Sequence, residues 1–323
     1  MQNYFYMSRS TNGWENLGTD EWILENLGED ELMLYCYINQ NAVIIGRNQN
    51  PWKECNLLAM KEDDVQLVRR ITGGGAVYHD SGNLNFSFIA GAGRYDVERQ
   101  LNTILQAIRS LGIPCEFTGR NDLQADGRKF SGNAFCRRGN ICQHHGTLLI
   151  RSDMGRLQHY LQVDPRKLQA KGVSSVHSRV CNLSEFRADL SIPMVLSALK
   201  QAFRKTYGDY VEWAPNSADQ AAIRPYVEKH SSWDWRMGKT PHFDMELDTR
   251  FPWGDIQLLL SLDQGRVAKA EVYSDVLDPD LPGRLAALLE GCPFSAAAMA
   301  DALGGQEAEQ LRDIAAWLRE ERL

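Results

Sequence analysis

The stretch RRITGGGAVYHDSGN, residues 69–83, constrains the fold more than any other part of the chain. Three glycines stand between two β-prone runs, VQLVRRI (65–71) and AVYHD (76–80). Glycine-rich nucleotide loops of the P-loop and dinucleotide types follow a strand but open into a helix. Here Gly75 is followed by Ala-Val-Tyr-His, which has strand character. Both of those folds therefore fail on context, and a strand–turn–strand unit remains. Glycine lacks Cβ and lets a ligand approach the backbone. Successive N–H groups in such a turn form an anion-holding concavity. Arg69 and Arg70 add positive charge directly upstream. Taken alone, a plain glycine-rich hairpin turn explains the stretch equally well.

The surrounding pattern predicts an α+β fold. ELMLYCYIN and AVIIG read as strands, and TDEWILENL (19–27) as a short helix with Thr19 as N-cap. RNQNPWKECN is read as loop. LNFSFIA alternates, with Leu84, Phe86 and Phe88 on one face, so an antiparallel strand with one face on a core is expected. Val97, Leu101, Ile104, Leu105, Ile108 and Leu111 recur at three and four, which predicts an amphipathic helix ending at Gly112. Asp126-Gly127 is a hairpin turn signal. Hairpins with interspersed helices argue against a βαβ series and for largely antiparallel, mixed sheets flanked by helices.

The chain has 323 residues, enough for two domains. A polar stretch at 215–242 reads as a linker. After it, IQLLLSL and RVAKAEVYSD form a hairpin across Asp263-Gln264-Gly265, and three helical segments follow near 280–290, 295–303 and 306–320. The tail is a second α+β unit, free to move on the first. A net charge of −7 disfavours broad nucleic-acid binding but leaves room for a small anion in a basic cleft. No apolar run reaches the roughly 18–20 residues that cross a bilayer. The N-terminus lacks the order of a signal peptide. Seven scattered cysteines suit a cytoplasmic protein with reduced thiols.

Several residues stand out for chemistry. Lys129 sits just past a hairpin turn in GRKFSGNAF and offers a compact ammonium that suits bringing two anions together, although a solvated turn lysine is the common case. In QHHGTLLIR the adjacent histidines, His144 and His145, must point to opposite faces of a strand, so one is structural or on the surface. In GRND, Asn121 and Asp122 are either a turn or an amide and a carboxylate near phosphates, Asp122 then with Mg2+. Cys136 and Cys142 with these histidines match no common zinc spacing. Tyr160, Trp213, Trp233, Trp235 and Trp253 read as core or interdomain packing.

In order along the chain, GRNQNPWKECN (46–56), RRITGGGAVYHDSGNLNFSF (69–88), GRNDL (119–123), RKFSGNAF (128–135), HHGTLL (144–149) and KGVSSVHSRVCNL (171–183) resemble the lipoate–protein ligase A family. SSWDWRMG (231–238) is similar to the stretch leading into that family's C-terminal domain. The resemblance implies a biotin/lipoate ligase-like catalytic domain over 1–243 and a small accessory domain over 249–323. It implies activation of lipoate by ATP to lipoyl-AMP, with Mg2+. Transfer to a lysine of lipoyl carrier domains follows, on E2 subunits of 2-oxoacid dehydrogenases and on the glycine cleavage H protein. It also implies a monomer that engages neither nucleic acid nor membrane.

Carried over by position, Arg70, Gly74, Gly75, Ala76, Val77, Tyr78, Asn83, Asn121 and Lys129 are expected to meet the nucleotide. Lys129, Gly75, His79, Gly132 and His145 are expected to meet lipoate. Lys129 is the expected catalytic residue, and Val77, Phe86 and Phe88 are candidates for the apolar tunnel. His177 and Cys181 depart from the family pattern, in which arginine and threonine are expected. An ATP-independent acyl transferase and a non-catalytic sensor of lipoyl-AMP are the competing readings. Retention of Lys129 speaks against the sensor.

Overall fold

The computed structural model describes residues 2–118, 122–161, 180–237, 243–304 and 308–321. The main sheet is built from β1 (Gln2–Met7), β2 (Glu31–Tyr37), β6 (Asn83–Gly91), β7 (Glu116–Thr118), β8 (Asp122–Ala125), β9 (Arg128–Arg138), β10 (Ile141–Leu149) and β11 (Val211–Glu212). Its order is β11-β1-β2-β6-β10-β9-β8-β7. β1 runs parallel to both neighbours, and the other pairs are antiparallel. A smaller sheet holds β3 (Ala42–Ile45), β4 (Gln66–Arg69) and β5 (Val77–His79) in the order β4-β3-β5. The glycine run therefore joins two strands of one small sheet, as its context predicts.

β6 is buried over its whole length. Leu84, Phe86 and Phe88 join the core under the helices Val97–Ser110 and Ile192–Tyr207. Ile89 belongs to a second core beneath the helix Gly13–Asn26, and Asn85 and Ser87 are buried as well. The expectation of one solvated face fails because β6 is central, with layers on both sides. Phe86 and Phe88 also face away from the cleft described below, so they are not its walls.

The first helix starts at Gly13, well before Thr19, and is capped by the Asn12 side chain, which accepts from the N–H groups of Trp14 and Glu15. Gly13 and Gly18 look like helix breakers in sequence. In space they are close-packing points. A Cβ at Gly13 would lie 2.8 Å from Val68 Cγ2, and one at Gly18 would lie 2.8 Å from Val227 N. The loop expected at 47–56 contains a short helical turn, Pro51–Glu54, capped by Asn50. At Gly112, φ is +82°, and Asp96 caps the helix that ends there.

The polar stretch read as linker is instead largely helical, Ser217–Ser231 followed by Trp233–Met237. It is held to the first helix by charge. Glu21, 2% exposed, accepts from Lys229 Nζ at 2.5 Å and His230 Nε2 at 2.9 Å. Burial pushes the Glu21 carboxyl up, but these two partners outweigh it and hold it below the ordinary value of 4.5. The stabilisation is thus present above that value and is lost as pH falls through the lowered folded one. Glu21→Ala is expected to cost about 3 kcal/mol at neutral pH, as for a broken buried pair. Urea unfolding from pH 3 to 7 checks this: the penalty should shrink toward the acid end, and a pH-independent difference would contradict the assignment.

The C-terminal core is formed by β12 (Met245–Phe251), β13 (Gly254–Asp263), β14 (Arg266–Ser274) and the helices Leu281–Leu289, Ala296–Ala302 and Glu309–Glu320. The hairpin turn falls at Gln264 and Gly265, both at positive φ, as expected. This unit touches the loops beside the small sheet. Ser274 N–H donates to Asn48 O at 2.7 Å, Asn48 Nδ2 donates to Pro279 O at 2.8 Å, and Gly74 N–H donates to Val276 O at 2.9 Å. No helix among the described residues is long and apolar enough to cross a membrane.

Candidate active site

A cleft of about 380 Å³ opens between the small sheet and the β6–β10–β9 side of the main sheet. Of the residues expected to contact ligand, it collects Arg70, Gly74, Gly75, Ala76, Val77, Tyr78, His79, Asn83, Lys129, Gly132 and His145. Asn121 lies outside the described residues, as does His177. Leu17, Tyr37, Ile44, Leu149 and Leu157 supply an apolar wall that the sequence did not single out, and Leu277 enters from the C-terminal unit. These residues come from distant elements and carry no local pattern.

The three glycines serve three different ends. A Cβ at Gly73 would lie 2.2 Å from Val276 O, so this position allows the C-terminal unit to dock. Gly74 has φ +96°, a left-handed conformation that favours glycine. A Cβ at Gly75 would meet nothing within 4 Å. Gly75 is exposed and its φ is outside the left-handed region. Nothing in the fold itself demands glycine there; the open space in front of it belongs to the cleft.

The paired arginines divide their work. Arg69 is buried, and its guanidinium donates to the carbonyls of Gly46, Arg47, Gln49, Trp235 and Arg236 at 2.7–3.2 Å. It ties the 46–49 loop to the helix Trp233–Met237. Trp235 closes the knot, its Nε1 donating to Arg69 O at 2.9 Å. Trp213 packs against Tyr6 and Trp22, and Tyr160 is buried, but Trp233 is 58% exposed and is not core.

Arg70 holds the glycine loop from inside. Its Nη2 donates to Gly73 O and Gly75 O, each at 2.8 Å, and Nη1 lies 3.3 Å from Ile44 O. Burial pushes the guanidinium down to about 10, so it stays charged at neutral pH. Among the described residues no carboxylate forms an ion pair with it. The expected phosphate fork is thus largely engaged with backbone carbonyls, and a buried positive charge is left without a counter-ion.

Lys129 is positioned by an irregularity in its ladder. Leu123 pairs with Ser131 but Gln124 pairs with Lys129, so β9 bulges at Phe130, whose side chain is buried in the core. Bulges of this kind re-aim neighbouring side chains. The Lys129 ammonium lies across Gly132, where a Cβ would come within 3.0 Å of both Cε and Nζ. Nζ is 2.7 Å from Asp122 Oδ1. Both side chains are about one-third exposed, so the pair contributes little stability, on the order of 0–1 kcal/mol.

The two histidines split as predicted. His144 is fully buried between Gln100 and Asn133, against Phe86, Phe88 and Phe135, and burial holds its imidazole down to about 3. His145 faces the cleft, with Nε2 2.7 Å from Thr72 Oγ1 and Nδ1 3.5 Å from Asp20 Oδ2. Cys136 meets Gln143 instead of a histidine. Among the described residues no three His, Cys, Asp or Glu converge. A Mg2+ ion here would be held chiefly by phosphate oxygens and water, with Asp122 the carboxylate at hand. All seven cysteines are free thiols.

Among the described residues, three buried polar atoms of the cleft have no hydrogen-bond partner: His79 Nε2, Asn83 Oδ1 and Ser131 Oγ. Leaving such groups unpaired costs about 1–3 kcal/mol each. A site built to hydrogen-bond a ligand carries that cost until the ligand arrives.

Comparison with known families decides the matter. The model for the lipoyl protein ligase A/B catalytic domain matches residues 12–204, and that for the bacterial lipoate protein ligase C-terminus matches 240–317. The chain belongs to the lipoate–protein ligase family. It is 42% identical over 283 residues to lipoate-protein ligase A of Psychrobacter cryohalolentis, which covers 85% of this chain and 84% of that protein. A family structure from P. falciparum, LipL1 in complex with lipoate, superposes with a TM-score of 0.87 at 28% identity, covering 99% of this chain and all of that one. A lipoate-protein ligase A bound with ATP superposes with a TM-score of 0.64 at 29% identity, over 74% and 99% of the two chains. The α+β ligase fold expected from the sequence is the one observed.

Proposed function

We propose that this chain activates lipoate with ATP and transfers the acyl group to a protein lysine. One observation carries the reading. A buried guanidinium without a carboxylate partner among the described residues, a partly exposed ammonium and an open stretch of glycine backbone line one cleft with an apolar wall. That set suits an aliphatic acid lying beside a nucleotide phosphate.

The chemistry follows from charge. A lipoate carboxylate oxygen attacks the α-phosphorus of ATP, and the bond to pyrophosphate breaks. Two anions must approach, and fixed donors lower that barrier most where water is excluded. The Lys129 ammonium, released from Asp122, reaches both. The backbone from Gly75 to Tyr78 faces the phosphate, and Arg70 adds its field and its remaining N–H. Alignment of the bound pair supplies the rest of the acceleration. In the second step an uncharged lysine amine attacks the acyl carbon, the bond to AMP breaks, and the amine loses a proton. Asn83, His79, Gly132 and His145 are assigned to the acyl and phosphate surroundings, and Asn121 to the nucleotide.

The functional division falls at 1–243 and 249–323. The acceptors are lipoyl carrier domains of 2-oxoacid dehydrogenase E2 subunits and the glycine cleavage H protein. Mg2+ accompanies the nucleotide, and the protein acts as a cytoplasmic monomer. Free thiols throughout are consistent with a reducing compartment.

The test is the intact mass of a purified carrier domain after incubation with the protein and lipoate. A gain of one lipoyl group that requires ATP is expected. Equal transfer from a lipoylated donor without ATP would establish the transferase instead. No mass gain with folded protein would establish neither enzyme and favour a sensor.

A further inference from the structure

The imidazole of His79 is held in one protonation form by a chain of amides that begins outside the cleft. Asn16, at 1% exposure, donates through Nδ2 to the backbone carbonyls of Ser10 at 3.1 Å and Ile38 at 3.0 Å. A carbonyl only accepts, so these contacts fix which end of the Asn16 amide is nitrogen. The same Nδ2 lies 2.9 Å from Asn39 Oδ1. The Ser8 and Tyr35 hydroxyls, at 2.7 and 3.2 Å, donate to Asn16 Oδ1 on the other side.

Asn39 is fully buried, and its oxygen must face Asn16. Its Nδ2 therefore faces His79 Nδ1, at 3.1 Å. An amide nitrogen donates, so His79 Nδ1 presents its lone pair. Burial, reinforced by the charge of Arg70, pushes the ring down to about 3 and keeps it uncharged. The one ring proton then sits on Nε2. That atom is buried and, among the described residues, has no hydrogen-bond partner, and His79 itself lines the cleft.

We propose that Asn39, itself oriented by Asn16, is a positioning residue that fixes His79 as an Nε2–H donor to an acceptor oxygen of the bound acid or of the nucleotide phosphate. This rests on the reading of the cleft as the site of acyl activation. A neutral, pre-oriented donor recognises an oxygen without adding a proton that the carboxylate nucleophile would take up. Asn39 touches no reactant; it acts through His79 alone.

The experiment has two parts. In protein labelled with 15N-histidine, two-bond 15N–1H correlation reports which ring nitrogen carries the proton. The His79 signal, identified by its loss in His79→Gln, is expected to show Nε2–H, unchanged from pH 8 to pH 5. A proton on Nδ1, or titration within that range, would overturn the proposal on the unaltered protein, whatever any variant does.

The second part uses Asn39→Asp. Its carboxylate still accepts from Asn16 but can no longer donate to His79. The ring proton is expected to move to Nδ1, turning a lone pair toward the ligand. Calorimetry with lipoate alone and with ATP alone tells which oxygen is recognised. One affinity is expected to fall about tenfold or more at pH 8. It should recover as the pH is lowered, when the ring gains its second proton and Nε2–H returns. A merely structural loss would not recover in acid. Unchanged affinities for both ligands across pH would overturn the proposal. Failure of the unaltered protein to bind either ligand would remove the functional reading as well, whereas Nδ1–H with ligand binding intact removes this proposal alone.

Discussion

Lys129→Ala is expected to abolish adenylation while leaving the fold untouched. The side chain is about one-third exposed, and among the described residues its only ion pair is with Asp122, itself one-third exposed. Losing such a pair costs about 0–1 kcal/mol, so the melting temperature should stay within a few degrees. The catalytic loss is of another order. Removing one pre-oriented donor from a charge-developing site typically costs about 10² to 10³ in turnover. Lys129 is assigned to two anions at once, so about 10³ or more is expected. Lys129→Arg should not restore activity, because a broad planar guanidinium does not reproduce the compact ammonium that lies over Gly132. Near-normal turnover of Lys129→Ala would remove this residue from the mechanism.

Gly75→Val is the second large effect, and it separates two meanings of the glycine run. If the run were only a turn, valine at 75 would be nearly harmless: a Cβ there meets nothing within 4 Å, and φ is outside the left-handed region. Stability should accordingly change by about 1 kcal/mol or less. If phosphate oxygens approach the backbone at this point, the isopropyl group occupies their place. Loss of a hydrogen bond to a charged oxygen, about 1.5–3 kcal/mol, weakens ATP roughly 10- to 100-fold. Calorimetry with ATP and a thermal melt, run on the same sample, give both numbers. A stable variant with unaltered ATP affinity would show that the nucleotide does not touch Gly75.

Much of the fold was legible because its signals are local. The strand–glycine–strand unit, the helix ending at Gly112 and the hairpins at Asp126-Gly127 and Gln264-Gly265 all follow from backbone demands of single residues. The opposite facing of His144 and His145 follows from the two-residue period of a strand. What escaped the sequence was set by contacts across the fold. The helix reads as starting only at Thr19, because what Gly13 and Gly18 serve, close approach to Val68 and Val227, lies far away in the chain. The helix Ser217–Ser231 carries a proline and only Ile223 and His230 as buried residues, so no apolar stripe announces it; it is fixed largely by Glu21. Phe86 and Phe88 were placed in the tunnel because alternation tells which residues share a face, not which face meets the cleft.

The site divides in the same way. Lys129 and the glycine run stood out by residue type, but a plain turn explains each as well, and the family resemblance supplies the roles of Lys129 and Gly75. Arg70 also stood out, but its guanidinium faces the carbonyls of Gly73 and Gly75 as much as any ligand. The docking of Val276 and Leu277 on the glycine run, more than 200 residues on in sequence, had no signal in either stretch.

Pyrophosphate release from the unaltered protein, mixed with lipoate and ATP in the absence of any carrier domain, tests the pairing of acid and nucleotide in this cleft most directly. The account predicts a rapid burst that approaches one pyrophosphate per protein molecule and depends on both substrates. Folded protein that binds lipoate and ATP yet releases no pyrophosphate would contradict it.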